Sequence, residues 1–436
     1  MIDLSFDVWK NILLALAVAF IISFAATPVV SSFAKKVGAI DIPDKKRHIH
    51  SHPIPRMGGL AIFLGFLLSV LLFANITPQV RGILLGAILI VVVGAIDDVM
   101  NLNAWLKFCV QIVAAVIAVL SGVIINVVSN PLLITSEQAV TIGILAVPVT
   151  ILWIVGVTNS VNLIDGLDGL ASGVSTISAM TMLVIAILVS EQQVAIVMAA
   201  LAGACLGFLP YNSNPAKIFI GDTGAMFLGY TMSVISISGV FKVHATLSFL
   251  IPMSIFGLPL FDTIFAVFRR LLHGQAPWHA DRGHIHHKLI DLGFNQKQSV
   301  HILYAISGML GLSALLFTGE SLFGMILILV VSLLILISNI YIMTHADARH
   351  KAGLDQELSF DHCEPETPAA DAKTESAAAN AGTASDSDGA AAASSADVKT
   401  AAADVPGAEN ASDPIKATDA GKISDSTASD DTARSE

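Results

Sequence analysis

The chain has 436 residues, 54% of them hydrophobic and only 13% charged, a balance that excludes a soluble enzyme and argues against a nucleic-acid partner. The formal net charge of -11 belongs to the end of the chain: eighteen acidic and six basic residues from Lys351 onward leave sixteen against seventeen in residues 1–350. With so few carboxylates in the apolar part, the position of each is informative.

Asn11 to Phe33 is an apolar run long enough to cross ~30 Å of hydrocarbon at ~1.5 Å per residue. Basic residues follow this run instead of preceding it, so a retained first helix is expected, not a cleaved signal peptide. Further runs occupy roughly 58–74, 82–96, 106–125, 140–157, 170–189, 194–209, 225–240, 245–268, 302–317 and 322–343. Together they predict an all-α polytopic integral membrane protein of about eleven transmembrane helices.

The first connecting loop carries Lys35, Lys36, Lys45, Lys46, Arg47 and Arg56, and the ninth carries Arg269, Arg270, Arg282, Lys288 and Lys297. Arg81 and Lys242 are the only Lys or Arg in the even-numbered loops, so the odd loops are expected in the cytoplasm, with the N-terminus outside and the C-terminus inside. Residues 1–346 then form the transmembrane domain. Residues 347–436, rich in Ala, Ser and Asp, are expected to be a disordered cytoplasmic tail dispensable for chemistry. Cys109, Cys205 and Cys363 form neither a disulfide framework nor a paired metal spacing.

The positions of the carboxylates are independent of the Lys and Arg count and agree with this orientation. Asp97 and Asp98 fall in the third loop, Asp165 and Asp168 in the fifth, Asp222 in the seventh, and Asp281 with His284, His286 and His287 in the ninth, all on the cytoplasmic face. Carboxylates at a bilayer edge are tolerated when they pair with a cation, bind a metal or face water.

Asp97 and Asp98 end a helix where the macrodipole disfavours negative charge by ~0.3 to 1 kcal/mol each, so a divalent cation or a lysine is expected nearby. In TNSVNLIDGLDGLASG, residues 158–173, Asn162, Asp165 and Asp168 recur every third residue and would point the same way if helical. Asp168 alone could instead cap the following helix. Asp222, in IGDTGAMFLGY, stands directly before a predicted helix, and capping and function remain open for it. Asn212 adds a polar group in the same loop. The histidines in PWHADRGHIHHKLIDLGF fit phosphate oxygens better than zinc, since no cysteine is near. Arg56, before Gly58 and Gly59, is the best-placed residue of the basic first loop for a lipid phosphate. Asp262 lies inside the ninth run, as a proton site or a partner for Arg269 or Arg270. Carboxylates ringed by Arg, Lys and His suit a divalent-metal site for phosphoryl transfer, with hard oxygen ligands selecting magnesium or manganese.

IPDKKRHIHSHPIPRMGG, GAIDDVMNL, TNSVNLIDGLDGLASG, IFIGDTGAMFLG and DRGHIHHKLIDLGF, in this order, resemble the polyprenyl-phosphate N-acetylhexosamine-1-phosphate transferase family over roughly residues 8 to 345. The resemblance implies transfer of a sugar 1-phosphate from a UDP-sugar to undecaprenyl phosphate, giving a lipid pyrophosphate sugar and UMP. It implies a magnesium requirement, a bacterial plasma membrane location and a cytoplasmic active site; a homodimer is left open. By position, Asp97 and Asp98 match the paired aspartates near the pyrophosphate, one acting as base, and Asp222 matches the magnesium ligand. Asn162, Asp165, Asp168 and Asn212 match the polar lining of the nucleotide-sugar site, His284, His286 and His287 match the motif that contacts phosphates, and Arg56 holds the first-loop position. His284-Ile285-His286-His287 resembles the branch that uses UDP-N-acetylglucosamine, which initiates teichoic acid or another surface polysaccharide. The alternative is the phospho-N-acetylmuramoyl-pentapeptide transferase of peptidoglycan synthesis, whose members typically carry three consecutive histidines. A secondary transporter would place its acids near the midplane, and a CDP-alcohol phosphotransferase would not carry Ser172 and Gly173 after its D-x-x-D-G start.

Overall fold

A computed structural model describes residues 5–42, 53–129, 139–239, 250–274, 283–316 and 330. All of these lie within one compact unit, Met1–Glu364. The expected tail from residue 347, residues 43–52 of the basic first loop, Asp281 and all but residue 330 of the run at 322–343 lie outside the described residues.

Helices α1 (Phe6–Val37), α2 (Gly59–Phe73), α3 (Pro78–Met100), α4 (Ala104–Leu120), α5 (Ala146–Leu163), α6 (Leu170–Leu188), α7 (Gln192–Asn212) and α8 (Gly221–Gly239) follow the predicted runs in order. The run expected at 245–268 is divided at Phe256 into α9 (Leu250–Ile255) and α10 (Gly257–Leu272). A short α11 (Ile285–Asp291) and a longer α12 (Gln296–Leu316) complete the described helices. Among the described residues six helical segments are long and apolar enough to cross a membrane, and α2 and α4 are shorter apolar helices. The protein is thus a polytopic membrane protein whose described residues are largely helical. Two small antiparallel pairs, β1 (Ile40–Asp41) with β2 (Ile54–Pro55) and β3 (Val127–Ser129) with β4 (Ala139–Thr141), are additions to the expected all-helical chain.

The hydropathic run that ends near Val157 continues as helix to Leu163. Thr158, Asn159 and Ser160 each donate a side-chain hydrogen bond to the carbonyl four residues back, so the helix carries polar residues onward without orphaning them. Asn162 therefore stands on the last turn of α5, while Asp165 and Asp168 lie in the turn that follows.

Helix α8 is buried almost all round and packs against α2, α3, α5 and α6. Small residues make this possible. Gly59 of α2 meets Gly224, Gly94 of α3 meets Thr223, and Gly229 meets Thr158 of α5, each at backbone distance. The third of these contacts lies about two turns further along α8 than the first two, which lie at the end that carries Asp222. The same end is tied to the first loop by Phe219 N–H to Pro55 O (2.9 Å), Gly58 N–H to Phe219 O (2.8 Å) and Gly59 N–H to Ile220 O (2.8 Å).

Gly59→Val is expected to destabilise the protein by about 1–3 kcal/mol through overpacking against Gly224. Gly156→Ala, on a part of α5 with open space, should be neutral or slightly stabilising. Thermal unfolding in detergent checks both, and equal midpoints for the two variants would refute this packing.

Candidate active site

The α3–α4 connection is three residues long. Asn101 adopts φ 51°, the left-handed region that asparagine tolerates, and its N–H closes on Asp97 O, while Asn103 caps α4 by accepting from Trp105 N (3.0 Å). This tight turn lays Lys107 over Asp97. Lys107 Nζ is 2.8 Å from Asp97 Oδ2 and 3.5 Å from Asp222 Oδ2, and Asp97 Oδ1 accepts from Leu102 N at 2.6 Å. The positive partner that two acids at a helix C-terminus require is thus Lys107, which the sequence reading did not single out. Its signal was available: it is the one charged residue in the run at 106–125.

Asp98 points elsewhere. It is 4% exposed, and its oxygens accept from Asp222 N (2.9 Å), Thr223 N (3.2 Å) and Thr223 Oγ1 (2.5 Å). The α8 N-terminus is therefore capped by a side chain from α3. Gly221, at φ 70°, has no side chain to block it, and a Cβ there would collide with the Asp98 carboxylate. Asp222 lies inside the first turn of α8, not before it, and does not act as the cap. Its Oδ1 accepts from Asn162 Nδ2 at 2.5 Å. Arg56 stands 3.8 Å from Asp98 and 3.9 Å from Asp41, adding positive charge from the first-loop side.

The expected shared direction of Asn162, Asp165 and Asp168 does not hold, because the chain leaves the helix at Ile164 and turns through Gly166 and Gly169, the latter at φ 79°. Asn162 faces Asp222. Asp168 accepts from Asn214 Nδ2 and Ala216 N, both at 3.0 Å, and so ties this turn to the loop before α8. Asn212 is buried, accepting from Ser172 Oγ (2.6 Å) and donating to Ile218 O (3.0 Å). These two residues hold the walls in place. Asp165 has no side-chain hydrogen bond to the described residues. Burial, with the Asp222 and Asp98 carboxylates near it, pushes its carboxyl up to about 8 against the opposing pull of Arg56.

The histidines reach the site through His286, whose ring lies against Gly166, leaving no room for a side chain there. Its ring stacks with His284 at 5.8 Å and meets His287 at 4.3 Å. Burial, reinforced by His287, lowers the His286 pKa to about 4, so this ring is neutral near pH 7 and offers one N–H donor.

Among the described residues no three of His, Cys, Asp and Glu form a complete metal cage. Magnesium does not need one, since it takes one or two carboxylates together with water and phosphate oxygens. Asp222, with Asp97 joined to it through Lys107 and Asp165 nearby, offers hard oxygen donors of that kind, so the residues present fit the ion.

A raised carboxyl pKa favours the protonated folded state, so ionisation of Asp165 penalises stability progressively from about pH 4 and fully above about pH 8. Asp165→Asn should therefore unfold at a higher temperature than the parent near pH 8 and at about the same temperature near pH 4. Identical melting curves at both pH values would contradict the burial of this acid among like charges.

Comparison with known proteins follows the same residues. Residues 80–240 match the model of Glycosyl transferase family 4, a span that holds Asp97, Asp98, Lys107, Asn162, Asp165, Asp168, Asn212 and Asp222. The chain is 38% identical over 308 residues to a Bacillus subtilis protein described as a probable undecaprenyl-phosphate N-acetylglucosaminyl 1-phosphate transferase, covering 70% of this chain and 85% of that one. It is 33% identical over 328 residues to a decaprenyl-phosphate N-acetylglucosaminephosphotransferase of Mycobacterium tuberculosis, covering 68% and 80%. Similarity to a phospho-N-acetylmuramoyl-pentapeptide-transferase of Heliobacterium modesticaldum is 34% over 202 residues, covering 44% and 63%. With acids, asparagines and small residues of the site inside the matched span, the chain belongs to glycosyl transferase family 4, in its polyprenyl-phosphate N-acetylglucosamine 1-phosphate transferase branch.

Proposed function

We propose that this protein transfers N-acetylglucosamine 1-phosphate from UDP-N-acetylglucosamine to undecaprenyl phosphate, on the cytoplasmic face of a bacterial plasma membrane crossed about eleven times. The observation that carries the reading is the meeting of Asp97, Asp98 and Asp222 around Lys107 and Arg56, in a chain that matches an N-acetylglucosaminyl 1-phosphate transferase over most of its length. An oxygen of the lipid phosphate attacks the sugar-bearing phosphorus of the donor. The bond to the bridging oxygen breaks, and UMP leaves with both electrons of that bond.

A lipid monophosphate with a second pKa of roughly 6 is largely ionised at pH 7, so little general-base help is needed. The work left to the protein is to bring two anions together and stabilise the charge that develops between them. Lys107 and Arg56 supply fixed positive charge beside the acids, and Asn162 orients Asp222 through its amide. His284, His286 and His287 offer ring N–H groups to phosphate oxygens. Magnesium, held by Asp222 with Asp97 and Asp165 within the same cluster, would supply Lewis-acid neutralisation of the diphosphate. The interrupted histidine segment His284-Ile285-His286-His287 supports a place at the first membrane step of teichoic acid or another surface polysaccharide.

Purified protein with undecaprenyl phosphate and magnesium should release UMP from UDP-N-acetylglucosamine and not from UDP-N-acetylmuramyl-pentapeptide. Release only from the second donor would move the protein to peptidoglycan synthesis. Asp222→Asn should keep its fold and lose about 100-fold or more in turnover, the scale on which single groups that stabilise developing charge act. Undiminished turnover would remove Asp222 from the site.

A further inference from the structure

Asp262 stands apart from the cluster just described, inside α10. That helix turns Phe261, Ile264, Phe265 and Phe268 outward, while Asp262, Ala266 and Arg270, four residues apart, are buried. Neither Arg269 nor Arg270 is the partner of its carboxylate. Asp262 Oδ2 lies 2.9 Å from His284 Nδ1, and Asp262 Oδ1 accepts from Ile285 N at 2.9 Å. Two turns further along, Arg269 Nη1 donates to Gly283 O at 3.0 Å. Helix α10 thus grips three consecutive residues, 283 to 285, and Asp262 holds two of them.

An ionised carboxylate only accepts hydrogen bonds, so Nδ1 of His284 carries the hydrogen. Nε2 is then the free ring nitrogen, and it makes no hydrogen bond to the described residues. The ring stacks at 12° on His286, and His286 rests on Gly166 beside Asp165. A row of imidazoles therefore runs from Asp262 to the turn that carries Asp165. Burying a carboxylate in an apolar helix is costly, and here both oxygens are committed to the start of the histidine segment.

We propose that Asp262 is a positioning residue: by accepting from Nδ1–H it fixes the ring orientation of His284 so that Nε2, which carries a hydrogen when the ring is doubly protonated, is the donor presented to a phosphate oxygen of the nucleotide-sugar donor. The inference rests on the transferase reading above. Asp262 acts through His284 and touches no substrate itself. Partners of this kind, one bond removed from a working imidazole, change function by about 10–100-fold when altered at metal sites, and a similar range is expected here.

The test is a double-mutant cycle on kcat/KM for UDP-N-acetylglucosamine with Asp262→Asn, His284→Ala and the double variant in the full chain. Asp262→Asn alone should lower kcat/KM by about 10–100-fold. In the His284→Ala background it should cost no more than about twofold, the margin within which independent changes add. An equal cost in both backgrounds, or a D262N protein that no longer folds, would assign Asp262 to structure and overturn the proposal. A second pair of variants does not depend on how D262N folds. His284→Gln, whose amide reaches the place of Nε2, should retain more turnover than His284→Asn, whose amide overlaps Nδ1; the reverse order would overturn the assignment of Nε2. Wild-type protein silent with this donor would overturn the transferase reading and the role of His284 with it. Active wild type with D262N unchanged would overturn only the present inference.

Discussion

Asp98 accepts the first N–H groups of α8, and this contact between two helices decides where Asp222 stands. A helix start normally finds its acceptor in its own capping side chain. Here Gly221 provides none, and within a membrane protein those donors need a partner from elsewhere in the chain. Supplying it from α3 separates two duties that a single aspartate would otherwise combine. Asp98 closes the helix, and Asp222, in the positive field of the same first turn, is left for charge chemistry.

The remaining polar groups divide in the same way. Lys107 joins the buried Asp97 to the partly exposed Asp222. Asp168 and Asn212 hold the turn after α5, the start of α6 and the loop before α8 in register. Asp262 and Arg269 do the same for the histidine segment. Inside this frame Asp165 is kept short of partners among like charges, and such acids are found where binding or catalysis maintains the strain. For the two anionic substrates proposed above, the arrangement offers the fixed cations Lys107 and Arg56 beside the acids.

Much of this was readable from residue types alone. The apolar runs located most of the described helices, because hydrocarbon permits few alternatives to a helix. The scarcity of carboxylates in residues 1–350 made Asp97, Asp98, Asp165 and Asp222 conspicuous, and the need for a cation beside Asp97 was evident from the helix dipole. Its identity was not, since Lys107 looks like an ordinary residue near a helix start until the Asn101 turn folds it back. Spacing misled at Asn162, Asp165 and Asp168: a period of three implies one face only while the helix lasts, and Gly166 and Gly169 end it. Hydropathy likewise stopped α5 too early, because it does not count hydroxyls and amides that bond back to their own helix. Which acids support and which act depends on contacts between residues up to 125 apart, such as Asp98 and Thr223, and no local pattern carries that information.

The central claim is that Asp222 and its neighbours form the place where a divalent cation and the donor diphosphate meet. Electron paramagnetic resonance of manganese added to the purified protein tests it without reference to turnover. The account predicts a bound-manganese spectrum that strengthens when UDP-N-acetylglucosamine is added and that is lost in Asp222→Asn. A spectrum of the same intensity in the variant, with the same response to the donor, would place the cation elsewhere and contradict the account.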